Sequence, residues 1–110
     1  MKKFILLAMC LNLNAFSITY AEVLDMWIDG TATGQNAKMT YAMNMLLDGA
    51  PDRHLCDQTL AASYQTIIDG SAVLTAKKQW SLKNYEKMSR KILNKDKLIV
   101  QLSCWPQNNK

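Results

Sequence analysis

The cysteine pattern limits what this chain can fold into more than any other feature. Two of its three cysteines, Cys56 and Cys104, follow the N-terminal apolar segment, and the third, Cys10, lies within that segment. If the segment is an export leader, the remaining pair reaches an oxidising compartment, where two cysteines in a small domain most simply form one disulfide. The bond would stabilise the domain by about 4 kcal/mol in the chain-entropy treatment. The alternatives are two free thiols or a metal site, which the absence of a CxxC motif disfavours.

The start of the chain has the organisation of a secretory leader. Residues 1–3 are cationic, and residues 4–11 form an apolar run. Small residues occupy the −3 and −1 positions of a cleavage site before Glu22, which completes the pattern of a Sec-type signal peptide. A second possible cleavage site, with small residues at its −3 and −1 positions, lies after Ser17.

We therefore predict a signal peptide over residues 1–21 and a single small domain over residues 22–110. Asn12 and Asn14 interrupt the apolar run, which is also short for a membrane span, so cleavage is favoured over an uncleaved anchor. The cationic start is typical of bacterial leaders, and the predicted location is the periplasm. Because 49% of the chain is hydrophobic and glycine and proline are scarce, a disordered or linker-like chain is excluded.

Apolar residues recur at helical spacing throughout the predicted domain. Leu24, Trp27 and Ile28 follow an i, i+3, i+4 pattern, which predicts a short first helix. We expect Gly30 to end this helix and the small polar residues up to Gly34 to form a connecting loop. The loop lacks the Lys-Ser/Thr ending of a phosphate-binding motif.

Two longer helices are predicted next. The second helix ends at Gly49 and Pro51, and its apolar stripe consists of Met39, Ala42, Met43, Leu46 and Leu47. Asp52 is expected to cap the third helix, whose apolar side consists of Cys56, Leu60, Tyr64, Ile67 and Leu74. Gly70 either interrupts this third helix or lets a neighbouring helix approach closely.

The C-terminal segment predicts one or two more helices. Ser81 suits the N-cap of a helix, whose apolar stripe consists of Leu82, Tyr85, Met88, Ile92 and Leu93. Residues 98–105 fit both an alternating strand and a helix, and we predict a helix because a lone strand would leave its backbone groups unpaired. The expected fold class is therefore all-α, a small bundle of four or five helices stapled by one disulfide after a cleaved signal peptide.

Charge divides the predicted domain into an acidic and a basic half. Residues 22–76 contain seven acidic and two basic residues, whereas residues 77–110 contain nine basic and two acidic residues. The two halves either neutralise each other on folding or leave one basic face for an acidic partner, and a solvated charged surface without a partner is the simpler interpretation. The candidate partner-binding residues lie largely opposite an apolar stripe and are Lys83, Lys87, Arg90 and Lys91.

Candidate catalytic groups are few. His54, the only histidine, is two residues from Cys56, with Asp52 and Asp57 close enough in sequence to orient its ring. A disulfide would remove the thiol from such a pair, and aspartates near a Gly-Ala-Pro turn such as Asp48 are common for conformational reasons. The scattered aspartates also lack the spacing of metal ligands. We therefore expect no enzymatic activity, no metal and no cofactor.

Methionines and the basic helix are the two features that suit binding. Met39 and Met43 fit a core stripe, whereas Met45 lies off it and would indicate a partner surface if exposed. Trp80 lies next to the predicted basic helix, and an aromatic residue beside basic residues is also a feature of nucleic-acid-binding proteins. An exported protein, however, rarely meets nucleic acid. We expect a protein partner, no nucleic acid and no stable membrane insertion, and a homodimer stays open.

Three segments carry a family resemblance. The first is Leu55-Cys56, which precedes a predicted helix with Tyr64 and Gly70. The second is Trp80-Ser81-Leu82, which precedes a predicted helix that ends with Ile92-Leu93-Asn94. The third is the closing segment Cys104-Trp105-Pro106. On these residues, the chain from about residue 43 to residue 106 resembles the type VI secretion amidase-immunity (Tai-like) family. The resemblance implies a small periplasmic helical protein that binds and blocks a cell-wall amidase delivered by neighbouring bacteria.

The chain is also similar to the HdeA-like acid-stress chaperones in its size, export, helical pattern and single disulfide. That resemblance implies a protein whose apolar surface, released at low pH, binds client proteins. We therefore expect an exported, non-enzymatic protein-binding protein, in the form of an amidase immunity protein. The acid-stress chaperone is the alternative.

Overall fold

Five helices make up the part of the chain that the structure describes. The computed structural model describes residues 18–106, and the regular structure in that range is helical without a strand. In chain order, the helices are α1 (Tyr20–Thr33), α2 (Asn36–Gly49), α3 (Arg53–Ala76), α4 (Leu82–Lys95) and α5 (Lys97–Cys104). The predicted all-α fold is confirmed for these residues, whereas residues 1–17 of the predicted leader lie outside them. None of the helices in this range is both long and apolar enough for a membrane span.

Side-chain caps explain where three of the helices begin. A carboxylate oxygen of Asp52 accepts a hydrogen bond from the Leu55 amide at 3.0 Å, and the Ser81 hydroxyl accepts one from the Asn84 amide at 3.1 Å. Each bond satisfies a backbone donor that has no partner within its own helix. The predicted caps of α3 and α4 are therefore confirmed, and Thr19 caps α1 in the same way.

The core forms where α1 lies between α2 and α4. Helix α1 packs most extensively against α2 and also against α4, while α3 packs against α4 and α5. Each of α1, α2, α3 and α4 contributes at least one large and almost completely buried side chain to this core, and these include Trp27, Leu46, Leu60 and Leu93. Removing each of these side chains from water contributes roughly 1.5–3 kcal/mol. Helix α1 has more buried residues than the other helices and is the central element of the bundle.

A disulfide joins the first turn of α3 to the end of α5. The Sγ atoms of Cys56 and Cys104 are 2.05 Å apart, and both residues are fully buried. Beside the bond, the Thr59 hydroxyl donates to the Ser103 hydroxyl oxygen at 2.9 Å. The predicted pairing is confirmed, and it fixes α5, a helix too short to be stable by itself, onto α3.

Two predictions about the end of α1 are wrong. The helix continues through Gly30 to Thr33, and the predicted loop is reduced to two residues, Gly34 and Gln35. Gly30 is helical, and a Cβ there would lie only 2.6 Å from the backbone nitrogen of Met39, so its role is to let α1 and α2 approach closely. The helix ends instead at Gly34, whose φ of 74° lies in the left-handed region that glycine adopts readily.

Two residues assigned to the apolar stripes are exposed. Tyr64 is 39% exposed and Leu82 is 77% exposed. On α3, the buried position is taken by Ser63, whose hydroxyl donates to the Asp96 carboxylate at 2.9 Å. Leu82 is the first residue of α4, one turn before the helix reaches the core, so the buried side of α4 begins at Tyr85.

Candidate functional site

Three lysines form an exposed face on α4. Lys83, Lys87 and Lys91 are spaced four residues apart, so their side chains follow one side of the helix. All three residues are exposed, and none of them forms an ion pair with a carboxylate within residues 18–106. We call these three residues the basic face. Three of the four predicted partner-binding residues therefore present free charges.

Arg90, the fourth predicted residue, is held by two carboxylates. Its guanidinium donates to Asp29 of α1 at 2.6 Å and to Glu86 of its own helix at 3.0 Å. The ammonium of Lys38 on α2 donates to the same Asp29 at 2.5 Å, so one carboxylate joins three helices. The hydrogen bonds from Lys38 and Arg90 hold the pKa of Asp29 below its usual value. Arg90 therefore contributes to the bundle and is not part of the basic face.

The charge separation of the sequence survives folding. Among the eight basic residues between positions 77 and 106, Arg90 alone forms an ion pair in the described structure. The remaining ion pairs, Lys38 with Asp29 and Arg53 with Asp48, lie within the acidic half. Of the two outcomes that the sequence left open, the structure therefore favours a basic surface over neutralisation of one half by the other.

A groove between α3 and α4 runs beside the basic face. It has a volume of about 320 Å³, and Lys87 and Lys91 line it together with the apolar side chains of Leu74 and Met88. The two helices meet here because Gly70 of α3 faces Met88, and a Cβ on residue 70 would clash with the thioether. The close approach predicted for Gly70 is confirmed. The groove combines apolar surface with two free cations, which suits an acidic and partly apolar protein segment.

The residues considered for catalysis cap a helix, form the disulfide, form a surface ion pair or are exposed. Cys56 is bonded to Cys104, so a His54–Cys56 pair has no thiol. His54 itself is exposed in the first turn of α3. Asp52 caps that helix. Among residues 18–106, no cluster of three or more potential metal ligands occurs.

The methionines of the predicted domain pack against the core. All five are partly buried there, including Met45, so the condition that would have marked Met45 as a partner surface is not met. Met39 and Met43 also line a second groove of about 300 Å³ between α2 and α3, together with Trp27 and the exposed Tyr64. The sequence pattern missed this groove because it placed Tyr64 on the buried side of α3.

Comparison with known proteins identifies no relative of this chain. No protein-family model, curated protein or solved structure matches it. The fold and the surface define a small, disulfide-braced helical protein with a basic face beside an apolar groove. A function is therefore proposed from the chemistry of that surface.

Proposed function

We propose that this chain is an exported, non-enzymatic protein that binds an acidic surface of another protein through α4. We further propose that the partner is a cell-wall amidase delivered by a type VI secretion system. The observation that supports binding is the basic face, which consists of three exposed lysines without carboxylate partners in the described structure. The resemblance of residues 43–106 to amidase-immunity proteins supports this class of partner.

This surface would favour binding of an acidic partner in two ways. Aligned positive charges accelerate encounter with an acidic protein and select its orientation. Apolar side chains then supply the burial that affinity requires, and the groove beside the basic face offers Leu74 and Met88. Trp80 and Leu82, exposed at the start of α4, extend this surface towards the roughly 800 Å² that a stable interface buries on each partner.

The disulfide supports export. Disulfides persist in the periplasm and outside the cell but are rare in the reducing cytosol. The Cys56–Cys104 bond is buried and joins two helices, so it belongs to the folded core. A domain of this size has a small core and depends strongly on such a bond.

Inhibition of an amidase tests the proposed function directly. The purified mature protein is mixed with the cell-wall amidase encoded nearest to its gene, and release of peptides from peptidoglycan is followed. We expect a complex that blocks hydrolysis, with an affinity that decreases as salt concentration rises, because exposed charges are screened. An amidase that keeps full activity and shows no binding in titration calorimetry would contradict the immunity function.

Charge reversal on the basic face is expected to weaken this complex. The double variant Lys87→Glu/Lys91→Glu places two carboxylates beside the groove, where they would repel an acidic partner. We expect the dissociation constant to rise about tenfold or more, mostly through slower association. Surface plasmon resonance at two salt concentrations separates the rate constants.

The matched control is Lys95→Glu/Lys97→Glu. These two lysines are also exposed and unpaired within residues 18–106, and they lie where α4 ends and α5 begins. The control has the same net charge as the test variant, and its dissociation constant should change less than about threefold. Equal losses in the two variants would show that overall charge, and not the basic face, controls binding.

One observation favours the acid-stress chaperone as a second function. The Asp29 carboxylate binds both Lys38 and Arg90, and protonation at low pH would release these links between α1, α2 and α4. Loosening α2 would widen the methionine-lined groove that α2 and α3 form next to Trp27. A chaperone of this kind would suppress aggregation of a client enzyme near pH 2–3 and not at pH 7, which light scattering measures.

Asp29 also gives a prediction about stability and pH. Because its pKa is lowered in the folded state, its contribution is fully present above the usual pKa and is lost as the pH falls through the lowered value. Asp29→Asn should therefore lower the free energy of unfolding at pH 7 by about 1 kcal/mol, a modest figure because the carboxylate is partly exposed to solvent. The variant and the natural protein should begin to converge as the pH falls below 3.8, and the convergence should be complete only below the lowered pKa of Asp29.

Urea denaturation at pH 7 and at about pH 3 measures this difference. Asp25→Asn is the control, since Asp25 is exposed on the same helix and forms no ion pair in the described structure. Its midpoint should match that of the natural protein at both pH values. A destabilisation by Asp29→Asn that stays constant from pH 7 to pH 3 would show that the carboxylate acts by packing and not by charge.

A further inference from the structure

The cap at the start of α1 requires a residue that cleavage after Ala21 would remove. The hydroxyl oxygen of Thr19 accepts a hydrogen bond from the Glu22 amide at 3.1 Å, and the Glu22 carboxylate accepts one from the Thr19 amide at 2.9 Å. This reciprocal pair is a complete capping box. The hydrogen bond from the Thr19 backbone also lowers the pKa of Glu22. A chain that starts at Glu22 would lose the whole arrangement.

Tyr20 belongs to the core of the bundle. It is 7% exposed, and its ring meets the Trp105 ring edge-on, with the ring centroids 5.3 Å apart. The Trp105 ring also lies against Gly49, where an added Cβ would come within 3.3 Å of it. Tyr20 therefore covers the aromatic residue that follows Cys104 and connects the start of α1 to the end of α5. Without Tyr20, the half-buried Trp105 would lose this aromatic contact.

Ile18 completes the local structure. It is partly buried and packs against the core. It precedes the capping residue Thr19, while Val23 occupies the fourth helical position, and these are the two positions of a hydrophobic staple. The motif that starts α1 therefore extends back to Ile18.

We propose that the leader is removed between Ser17 and Ile18, so that the mature protein begins at Ile18 and keeps the complete cap of α1. The proposal rests on the export proposed above. Ala15 and Ser17 provide the small side chains that signal peptidase requires at the −3 and −1 positions. Cleavage after Ala21 satisfies the same sequence requirement but would remove both the cap and Tyr20.

The N-terminus of the exported protein tests the proposal. The full chain is produced in a Gram-negative host, and the protein in the periplasmic fraction is examined by N-terminal sequencing and intact mass. A first residue of Ile18 would support the proposal. A first residue of Glu22 would overturn it while leaving export intact, and an unprocessed chain retained in the cytosol would overturn export as well.

Two matched variants locate the processing site independently. Ser17→Leu places a large side chain at −1 of the proposed site, and Ala21→Leu does the same at the other site. We expect the ratio of precursor to mature protein to rise about tenfold in Ser17→Leu and to stay unchanged in Ala21→Leu. The opposite result would assign cleavage to Ala21.

A third measurement tests the physical reason. Tyr20→Ala is expected to lower the melting temperature by about 10 °C or more, because it removes a buried ring from the core. Tyr41→Ala is the control, since Tyr41 is 59% exposed on α2, and its effect should stay within about 2 °C. Equal melting temperatures for Tyr20→Ala and the natural protein would show that residues before Glu22 are dispensable, which would overturn the proposal.

Discussion

Replacing both Cys56 and Cys104 with alanine is expected to lower the free energy of unfolding by about 4 kcal/mol. The bond closes a loop with a sequence separation of 48, and its loss releases many conformations of the unfolded chain. Small domains have a total stability of about 5–15 kcal/mol, so the variant should be close to unfolding at 37 °C. Its melting temperature should fall by about 15–30 °C. Urea denaturation followed by circular dichroism measures the loss.

The natural protein in the presence of a reductant is the control for this double variant. Both sulfur atoms are buried, so alanine removes packing contacts as well as the bond, whereas reduction removes only the bond. The two preparations should therefore differ by the smaller contribution of packing. We also expect a steeper dependence on urea than in the oxidised protein, because an unfolded chain without the cross-link exposes more surface. An unchanged urea midpoint in both preparations would contradict a stabilising role for the bond.

Features encoded over a few residues were predictable from the sequence. Asp52 and Ser81 cap α3 and α4 as predicted, because a cap depends only on one side chain and the backbone amide three residues later. The apolar stripe of α2 is also largely buried, since helical periodicity alone decides which residues share a face. The disulfide was predictable for a different reason: once Cys10 is assigned to the predicted leader, the two remaining cysteines allow only one pairing.

Features that depend on residues far apart in sequence were not predictable. Asp29 and Arg90 are separated by 61 positions, and nothing in either local pattern indicates that they meet. The sequence therefore grouped Arg90 with the free lysines, although its guanidinium is bound to two carboxylates. Gly70 correctly indicated a close approach, but periodicity does not specify that the approaching residue is Met88.

The sequence pattern also could not predict which residues lie at the edges of the apolar helix faces. Ser63 and Tyr64 are neighbours on α3, and which of them faces the core depends on how that helix is rotated. The rotation is set by packing against α4 and α5, where the Ser63 hydroxyl binds Asp96. The basic face itself was predictable because exposed lysines at a spacing of four need no tertiary partner to define their side of the helix.

Substitution of Gly30 with alanine is the second change for which we expect a large loss of stability. An added Cβ would lie 2.6 Å from the backbone nitrogen and 3.0 Å from the Cα of Met39, and backbone atoms cannot move aside as a flexible side chain can. Helices α1 and α2 would have to separate along their most extensive contact. We expect a loss of about 3 kcal/mol in the free energy of unfolding, although alanine alone favours a helix over glycine by about 1 kcal/mol.

The variant Gly34→Ala is the control that distinguishes the effect of close helix packing from the effect of backbone conformation. Gly34 has a φ of 74°, and beyond Gly34 and its two chain neighbours no atom lies within 4 Å of the position that a Cβ would take. Its substitution should therefore cost only the strain of a left-handed alanine, about 1–2 kcal/mol. Urea midpoints of the two variants, measured under the same conditions, decide between the two roles. A variant Gly30→Ala as stable as the natural protein would mean that α1 and α2 do not require the close backbone approach at Gly30.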